Sequence, residues 1–185
     1  MSLKYAILGL LSYKPQTGYD LKAHFDQTIR HIWKADQAQI YRTLSDITKK
    51  GLAISETVIQ EGKPNKKVYQ LTEEGKAELI EWLSTPVQSR DQRNAELIQV
   101  FFSGATDNET ILDNLKKLRA GTLEKIEALT TLERKSDLFA QSRMSSRDHF
   151  FFHATLDLGI RSAQMNLEWL DGLIESIDTG DLPRG

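Results

Sequence analysis

The chain has 185 residues, of which 39% are hydrophobic and 27% charged, and its 24 Lys and Arg nearly balance its 26 Asp and Glu. This composition is typical of a folded globular protein and excludes a disordered one. The absence of cysteine excludes disulfides, thiolate metal sites and cysteine nucleophiles. No apolar run approaches the ~20 residues that span a bilayer, and residues 6–11 are too short for a signal peptide. We therefore expect a cytoplasmic protein that does not bind membranes.

Charge is unevenly divided along the chain. Residues 1–86 contain 12 basic and 10 acidic residues, whereas the remaining 99 contain 12 and 16. Neither balance identifies a partner by itself. The difference places a polyanionic partner, if there is one, on the first part of the chain.

Three helices are predicted in the first 50 residues. Apolar residues at helical spacing predict the first helix at about 3–13, and a segment with Pro and Gly ends it. The second is predicted at about 19–33. Asp36 is a suitable N-cap for the third, at about 37–50, because its carboxylate can accept backbone N–H groups.

The pattern then changes to that of a β-hairpin followed by a helix. Residues 52–60 are rich in β-branched side chains and residues 67–71 alternate polar with apolar. The turn formers between them give the hairpin a basic tip. Thr72 is the expected N-cap of a fourth helix that ends before Pro86. The predicted fold class is mainly α, with a two-stranded wing.

The remainder of the chain is predicted to be wholly helical, with helices at about 93–103, 107–136 and 146–177. A 4-3-4-3 spacing of apolar residues in the last helix indicates helix-on-helix packing, within one subunit or between two. We divide the chain into a winged domain (1–86), a helical candidate dimerisation domain (87–178) and a frayed tail (179–185). The candidate dimerisation residues are Leu115, Leu118, Leu156, Ile160, Leu167, Leu170 and Ile174.

The order helix, tight turn, helix, hairpin is that of a winged helix-turn-helix, in which one helix enters the major groove of DNA. Gln and Arg on its outer face can bond adenine and guanine edges, and lysines on the wing suit phosphates. Each element alone is equally typical of a solvated surface, but their order favours DNA binding. The candidate contacts are Gln37, Gln39, Arg42 and Thr43 on the third helix and Lys63, Asn65, Lys66 and Lys67 on the wing.

A family resemblance becomes specific at this point. Residues 5–86 resemble the N-terminal domain of PadR-type transcriptional regulators. The remainder resembles the helical domain of the longer, subfamily-2 branch, shared with a virulence-activator type, by pattern and length over about 92–176. The matching stretches of the first domain are 5–11, 17–21, 39–44, 51–52, 62–69 and 71–75.

The resemblance implies a homodimer, paired through its C-terminal helices, that binds an inverted-repeat operator in double-stranded DNA. It further implies a repressor relieved by a small-molecule effector. We predict no cofactor. Tyr41 and Arg42 match the family's recognition-helix motif, and Lys67 and Tyr69 match its wing motif. Three tryptophans could stack on a flat aromatic effector, although core packing is their usual role. They are Trp33, Trp82 and Trp169.

The sequence gives less support to other functions. His149 and His153 have the spacing of a zinc-binding pair, but no third ligand accompanies them, so we predict no metal site. The intervening residues 150–152, all Phe, are expected to fill a core. No arrangement of nucleophile, base or phosphate loop points to an enzyme. The remaining alternative is a winged-helix protein-interaction module that oligomerises through its C-terminal helices.

Overall fold

A computed structural model of the chain describes residues 2–60, 62, 65–87, 94–140 and 145–180. For residue 2 and residues 136–140 it describes only the backbone. Its helices are α1 (Ser2–Tyr13), α2 (Gly18–Thr28), α3 (Gln37–Lys49), α4 (Glu73–Ser84), α5 (Ala95–Phe101), α6 (Asn108–Ala140) and α7 (Ser146–Asp178). Its strands are β1 (Gln16–Thr17), β2 (Ala53–Val58) and β3 (Lys66–Leu71). The predicted mainly α class with a wing is confirmed. No helix in the described ranges is long and apolar enough to cross a membrane.

The chain forms two compact units. The winged unit consists of the described residues within Met1–Val87 and Ser136–Phe152, and the helical unit of those within Gln88–Lys135 and His153–Gly185. The sequence did not predict that the first turns of α7 belong to the winged unit. His31, just after α2, lies edge-on to Phe152 of α7, with ring centroids 6.0 Å apart.

The winged unit folds around one hydrophobic core, to which α1, α2, α3, α4 and the sheet contribute. Burial of such side chains is the main stabilising contribution of the unit. Between 0% and 8% of each core side chain is exposed. The core residues are Ile7, Leu8, Leu10, Leu11, Leu21, Phe25, Ile40, Leu44, Ile47, Leu52, Ala53, Tyr69 and Leu79.

The wing is an antiparallel sheet with the strand order β1-β3-β2. The sequence predicted β2 and β3 but not β1, which is only two residues long. Its Gln16 lies opposite Tyr69 of β3. The side chain of Gln16 is buried and donates a hydrogen bond to the carbonyl of Leu10 at 2.7 Å, which ties β1 to α1.

Helix α2 is shorter than its apolar pattern predicts. It ends at Thr28, because the N–H groups of Ile29 and Arg30 both bond to the carbonyl of Phe25. Turns then continue to Trp33, whose N–H bonds to the carbonyl of Ile29. A bond from residue 30 back to residue 25 is the 6→1 type that commonly ends a helix and satisfies one of its last carbonyls.

In the helical unit, α6 and α7 pack against each other antiparallel. Thr122 of α6 accepts a hydrogen bond from the Asn166 amide of α7 at 3.3 Å, and Arg119 bonds to Asp171. The core of this unit is made by Ile111, Leu115, Leu170 and Ile177, with Val100, Leu112, Leu118, Leu173 and Ile174 packed around it.

This packing shows where the candidate dimerisation residues lie within one chain. Leu115, Leu156 and Leu170 are 3%, 0% and 1% exposed within a single chain, so they have no surface left for a partner. Leu118 and Ile174 pack against the same intrachain core. The remaining two candidates, Ile160 and Leu167, are half-buried. The apolar seam is used mainly to fold α6 onto α7.

The Phe run in α7 also differs from expectation. Phe150 and Phe151 are 67% and 53% exposed, so the prediction that they fill a core is wrong within this chain. Consecutive helical residues point about 100° apart, so one helix cannot direct three neighbouring side chains to the same side. Phe152 is the one that lies against His31.

Candidate nucleic-acid interface

Helix α3 begins with a complete capping box. The Asp36 carboxylate accepts the Gln39 N–H at 2.7 Å, and the Gln39 side-chain oxygen accepts the Asp36 N–H at 2.9 Å. The predicted N-cap is therefore confirmed. Such a box satisfies two backbone donors that a helix start leaves open, and fixes where the helix begins.

The two faces of α3 have opposite character. The inner stripe of Ile40, Leu44 and Ile47 is completely buried, as its spacing predicts. The outer face carries the candidate DNA contacts. Gln37, Gln39, Tyr41 and Arg42 are exposed on it and Thr43 is half-buried.

Hydrogen bonds distinguish the outer side chains from one another. The Gln39 oxygen is occupied by the cap, so the two-atom pairing with adenine would require the cap to open. The Thr43 hydroxyl donates to the Gln39 carbonyl at 2.8 Å. The Arg42 side chain is exposed, and its Nε donates to the Ala38 carbonyl at 3.4 Å, a bond that leaves the two terminal nitrogens of the guanidinium available. Arg42 and Gln37 are thus the side chains best placed to contact base edges.

The basic wing lies at the β2–β3 end of the sheet. Lys63 falls outside the described residues. Asn65 is exposed, and its side-chain oxygen accepts the Gln60 N–H at 3.4 Å, which leaves its amide NH2 as the group available to a phosphate. Lys66 and Lys67 are exposed at the start of β3, and the Lys67 ammonium lies 5.5 Å from the centre of the Tyr69 ring.

Tyr69 differs from the other candidates because it is a core residue, 6% exposed. Burial raises the pKa of its phenol, and the nearby Tyr41 raises that pKa further. So little exposed surface argues against the expected DNA contact. Tyr69 is instead part of the hydrophobic core of the winged unit, and the Lys67 ammonium lies over its ring.

One surface residue was missed by sequence reasoning. Tyr19, in the first turn of α2, is 74% exposed, immediately after Gly18, which contacts Tyr41. The helix start is fixed by Thr17, whose hydroxyl oxygen accepts the Asp20 N–H at 3.1 Å. The sequence signal that could have identified Tyr19 is an aromatic residue that directly follows an N-cap residue and a glycine.

The three tryptophans that the sequence singled out lie in different environments. Trp82 stacks on Tyr5 in the winged unit, with ring centroids 4.4 Å apart, whereas Trp33 and Trp169 are about two-fifths exposed. Within the described ranges, no three metal-ligating side chains come together.

A capped helix with an exposed polar face, beside a basic two-stranded hairpin, defines this chain as a winged helix-turn-helix protein.

Comparison with known proteins gives the family. The PadR-like family of transcriptional regulators matches residues 7–81, and the C-terminal region of the virulence activator α family matches residues 92–178. A probable transcriptional regulator of Mycobacterium tuberculosis is 31% identical over 189 residues, which cover 96% of this chain and 98% of that protein. The chain therefore belongs to the PadR-like family of transcriptional regulators, and it is not an enzyme.

Relatives from Bacillus subtilis extend the comparison. The negative transcriptional regulator PadR is 29% identical, over 95% of this chain and 97% of that protein. Its crystal structure in complex with operator DNA has a TM-score of 0.82 and 28% identity, covering 96% of this chain and 99% of that one. A structure of the same regulator with p-coumaric acid has a TM-score of 0.75 and 27% identity, with the same coverage.

Proposed function

We propose that this chain is a homodimeric repressor that binds an inverted-repeat operator in double-stranded DNA and is released by a small aromatic effector. The observation that carries the proposal is the capped, exposed outer face of α3 beside the basic residues of β3. Similarity over the whole chain to a regulator solved on operator DNA supports it.

In this proposal α3 enters the major groove. The Arg42 guanidinium can bond two acceptors of a guanine, and the Gln37 amide can pair with an adenine edge. Lys66 and Lys67 neutralise phosphates beside the groove. The Tyr41 hydroxyl contacts the DNA backbone, which fixes the position of the helix without reading sequence.

Dimerisation is proposed through the exposed apolar surface of the helical unit. Leu158, Met165 and Trp169 follow one another along one side of α7, and Leu158 and Met165 are each 67% exposed. Ile98 and Phe101 of α5 are also exposed. Exposed apolar side chains that follow one side of a helix are typical of a protein interface. A two-fold dimer would place two α3 helices about 34 Å apart, which requires an inverted repeat.

Repression and effector release rest on the relatives. The B. subtilis regulator is named a negative regulator and was solved with p-coumaric acid. In this chain, a groove of about 310 Å³ between α5, α6 and α7 is lined in part by Trp169, Met165 and Lys125, which suit an aromatic ring and a carboxylate. Release of bound DNA by p-coumaric acid or a related aromatic carboxylate would support this part, and indifference to all of them would contradict it.

DNA recognition is tested with a duplex selected from random sequence by the wild-type protein. Arg42→Ala should weaken binding roughly tenfold to a hundredfold, the value of one bidentate base contact. Lys117→Ala is the charge-matched control, because Lys117 pairs with Asp113 on an exposed face of α6 and should leave affinity unchanged. Fluorescence anisotropy measures both variants.

Salt dependence separates DNA binding from the protein-interaction alternative. Each phosphate contact lowers the slope of log affinity against log salt by about 0.9. Replacing both Lys66 and Lys67 by Ala should therefore make the slope shallower by about 2. If random-sequence selection enriches no duplex, or binding is insensitive to salt, the winged unit binds something other than DNA.

A further inference from the structure

Gly18 begins α2, and nothing in its own backbone requires glycine. The described glycines with left-handed backbone are Gly51, Gly62 and Gly180. A first helical turn readily accepts alanine. The residue type at position 18 must therefore have another physical reason.

The reason is the space that Tyr41 occupies. A Cβ atom on Gly18 would lie 2.6 Å from Cε1 of the Tyr41 ring and 2.9 Å from its hydroxyl oxygen. Carbon atoms in favourable contact are about 3.5–4.0 Å apart. The phenol end of Tyr41 thus rests directly on the Cα of Gly18, and even a methyl group there would displace it.

The wing also lies near this ring. Tyr41 contributes electrostatically to the raised pKa of the Tyr69 phenol, and the Lys67 ammonium lies 5.5 Å from the centre of the Tyr69 ring. Strand β1 runs directly into Gly18, with Thr17 opposite Val68 of β3. Tyr41 therefore lies where α2, α3 and the wing meet.

We propose that Gly18 is a positioning residue for DNA binding: the absence of a side chain at this position sets where Tyr41 lies on the outer face of α3. The proposal rests on the proposed function, since it takes the Tyr41 hydroxyl as a contact to the DNA backbone. Tyr41 is 39% exposed, so its ring can rotate toward solvent. A side chain at 18 should thus rotate Tyr41 away from its place and leave the fold intact.

A double-mutant cycle tests the proposal on the full chain with the selected duplex. Gly18→Ala should lower affinity about tenfold, the loss expected for one hydrogen bond to a charged phosphate. In a Tyr41→Ala background, where the ring is absent, Gly18→Ala should change affinity less than twofold, because the effect acts through Tyr41. Gly9→Ala is the control, since a Cβ on Gly9 meets nothing within 4 Å.

A spectroscopic measurement without DNA completes the test. Gly18→Ala should shift the ring resonances of Tyr41 in the 13C-labelled protein, whereas Gly9→Ala should leave them in place. Three results would each overturn the positioning role of Gly18. They are unshifted Tyr41 resonances in Gly18→Ala, unchanged affinity of Gly18→Ala for the duplex, and an equal loss of affinity on Gly18→Ala with and without the Tyr41 ring. Tyr41→Ala that binds as the wild type does would also overturn it, while Arg42→Ala separately decides whether α3 binds DNA at all.

Discussion

Replacing Gly75 by Ala should destabilise the winged unit by about 3 kcal/mol, at the upper end of the usual cost of overpacking. Gly75 lies in the first turn of α4, where its N–H donates to the Thr72 hydroxyl at 3.0 Å. A Cβ at this position would lie 2.0 Å from the carbonyl oxygen of Leu52. That oxygen also accepts the Thr72 N–H at 3.2 Å, so the helix start and the backbone before β2 cannot separate without losing a hydrogen bond.

Thermal unfolding of the full chain, followed by circular dichroism, measures this effect. A loss of about 3 kcal/mol corresponds to a fall of roughly 10–20 °C in the Tm of a unit this size. Gly9→Ala is the matched control: Gly9 lies inside α1 with open space around it, so Ala should raise stability by up to about 1 kcal/mol through helix propensity. An unchanged Tm for Gly75→Ala would mean that α4 does not pack on the Leu52 carbonyl.

Gly18 and Gly75 show which part of the fold lies beyond sequence reasoning. The caps of α3 and α4 and the buried stripe of α3 are local patterns, readable within a few residues. The contacts of Gly18 with Tyr41 and of Gly75 with Leu52 join distant parts of the chain. A single sequence contains no periodicity that reports such an approach between elements. The two-residue strand β1 was missed for the same reason.

Part of the candidate DNA interface was predictable and part was not. The outward position of Arg42 follows from helical periodicity once the buried stripe is known. The use of the Gln39 oxygen in the cap depends on side-chain rotamer, which composition and spacing do not specify. Likewise, alternation along β3 does not tell whether Tyr69 points into the core or toward DNA.

The dimer seam illustrates a different limit. Apolar spacing along α7 predicts that the helix packs against helices, but not whether they belong to the same chain. In the structure, the side that carries Leu170 faces α6, and the side that carries Met165 is exposed. The two sides therefore make separable predictions.

Leu170→Asp and Met165→Asp place the same charge on these two sides and should have different consequences. Leu170 is in the core of the helical unit, so a carboxylate there should cost about 4 kcal/mol or more and unfold the unit, seen as lost helical circular dichroism. Met165 is exposed, so Met165→Asp should change the free energy of unfolding by no more than about 0.5 kcal/mol.

The proposed interface makes Met165→Asp informative about assembly. In a two-fold dimer each substitution occurs twice, so two new carboxylates would enter one apolar surface. Size exclusion with light scattering should then give a folded monomer, and affinity for the operator should fall because two half-sites are no longer bound together. Met165→Leu, which keeps the surface apolar, should remain dimeric. A Met165→Asp protein that still dimerises would place the interface elsewhere, and a Leu170→Asp protein with full helicity would contradict the pairing of α6 with α7.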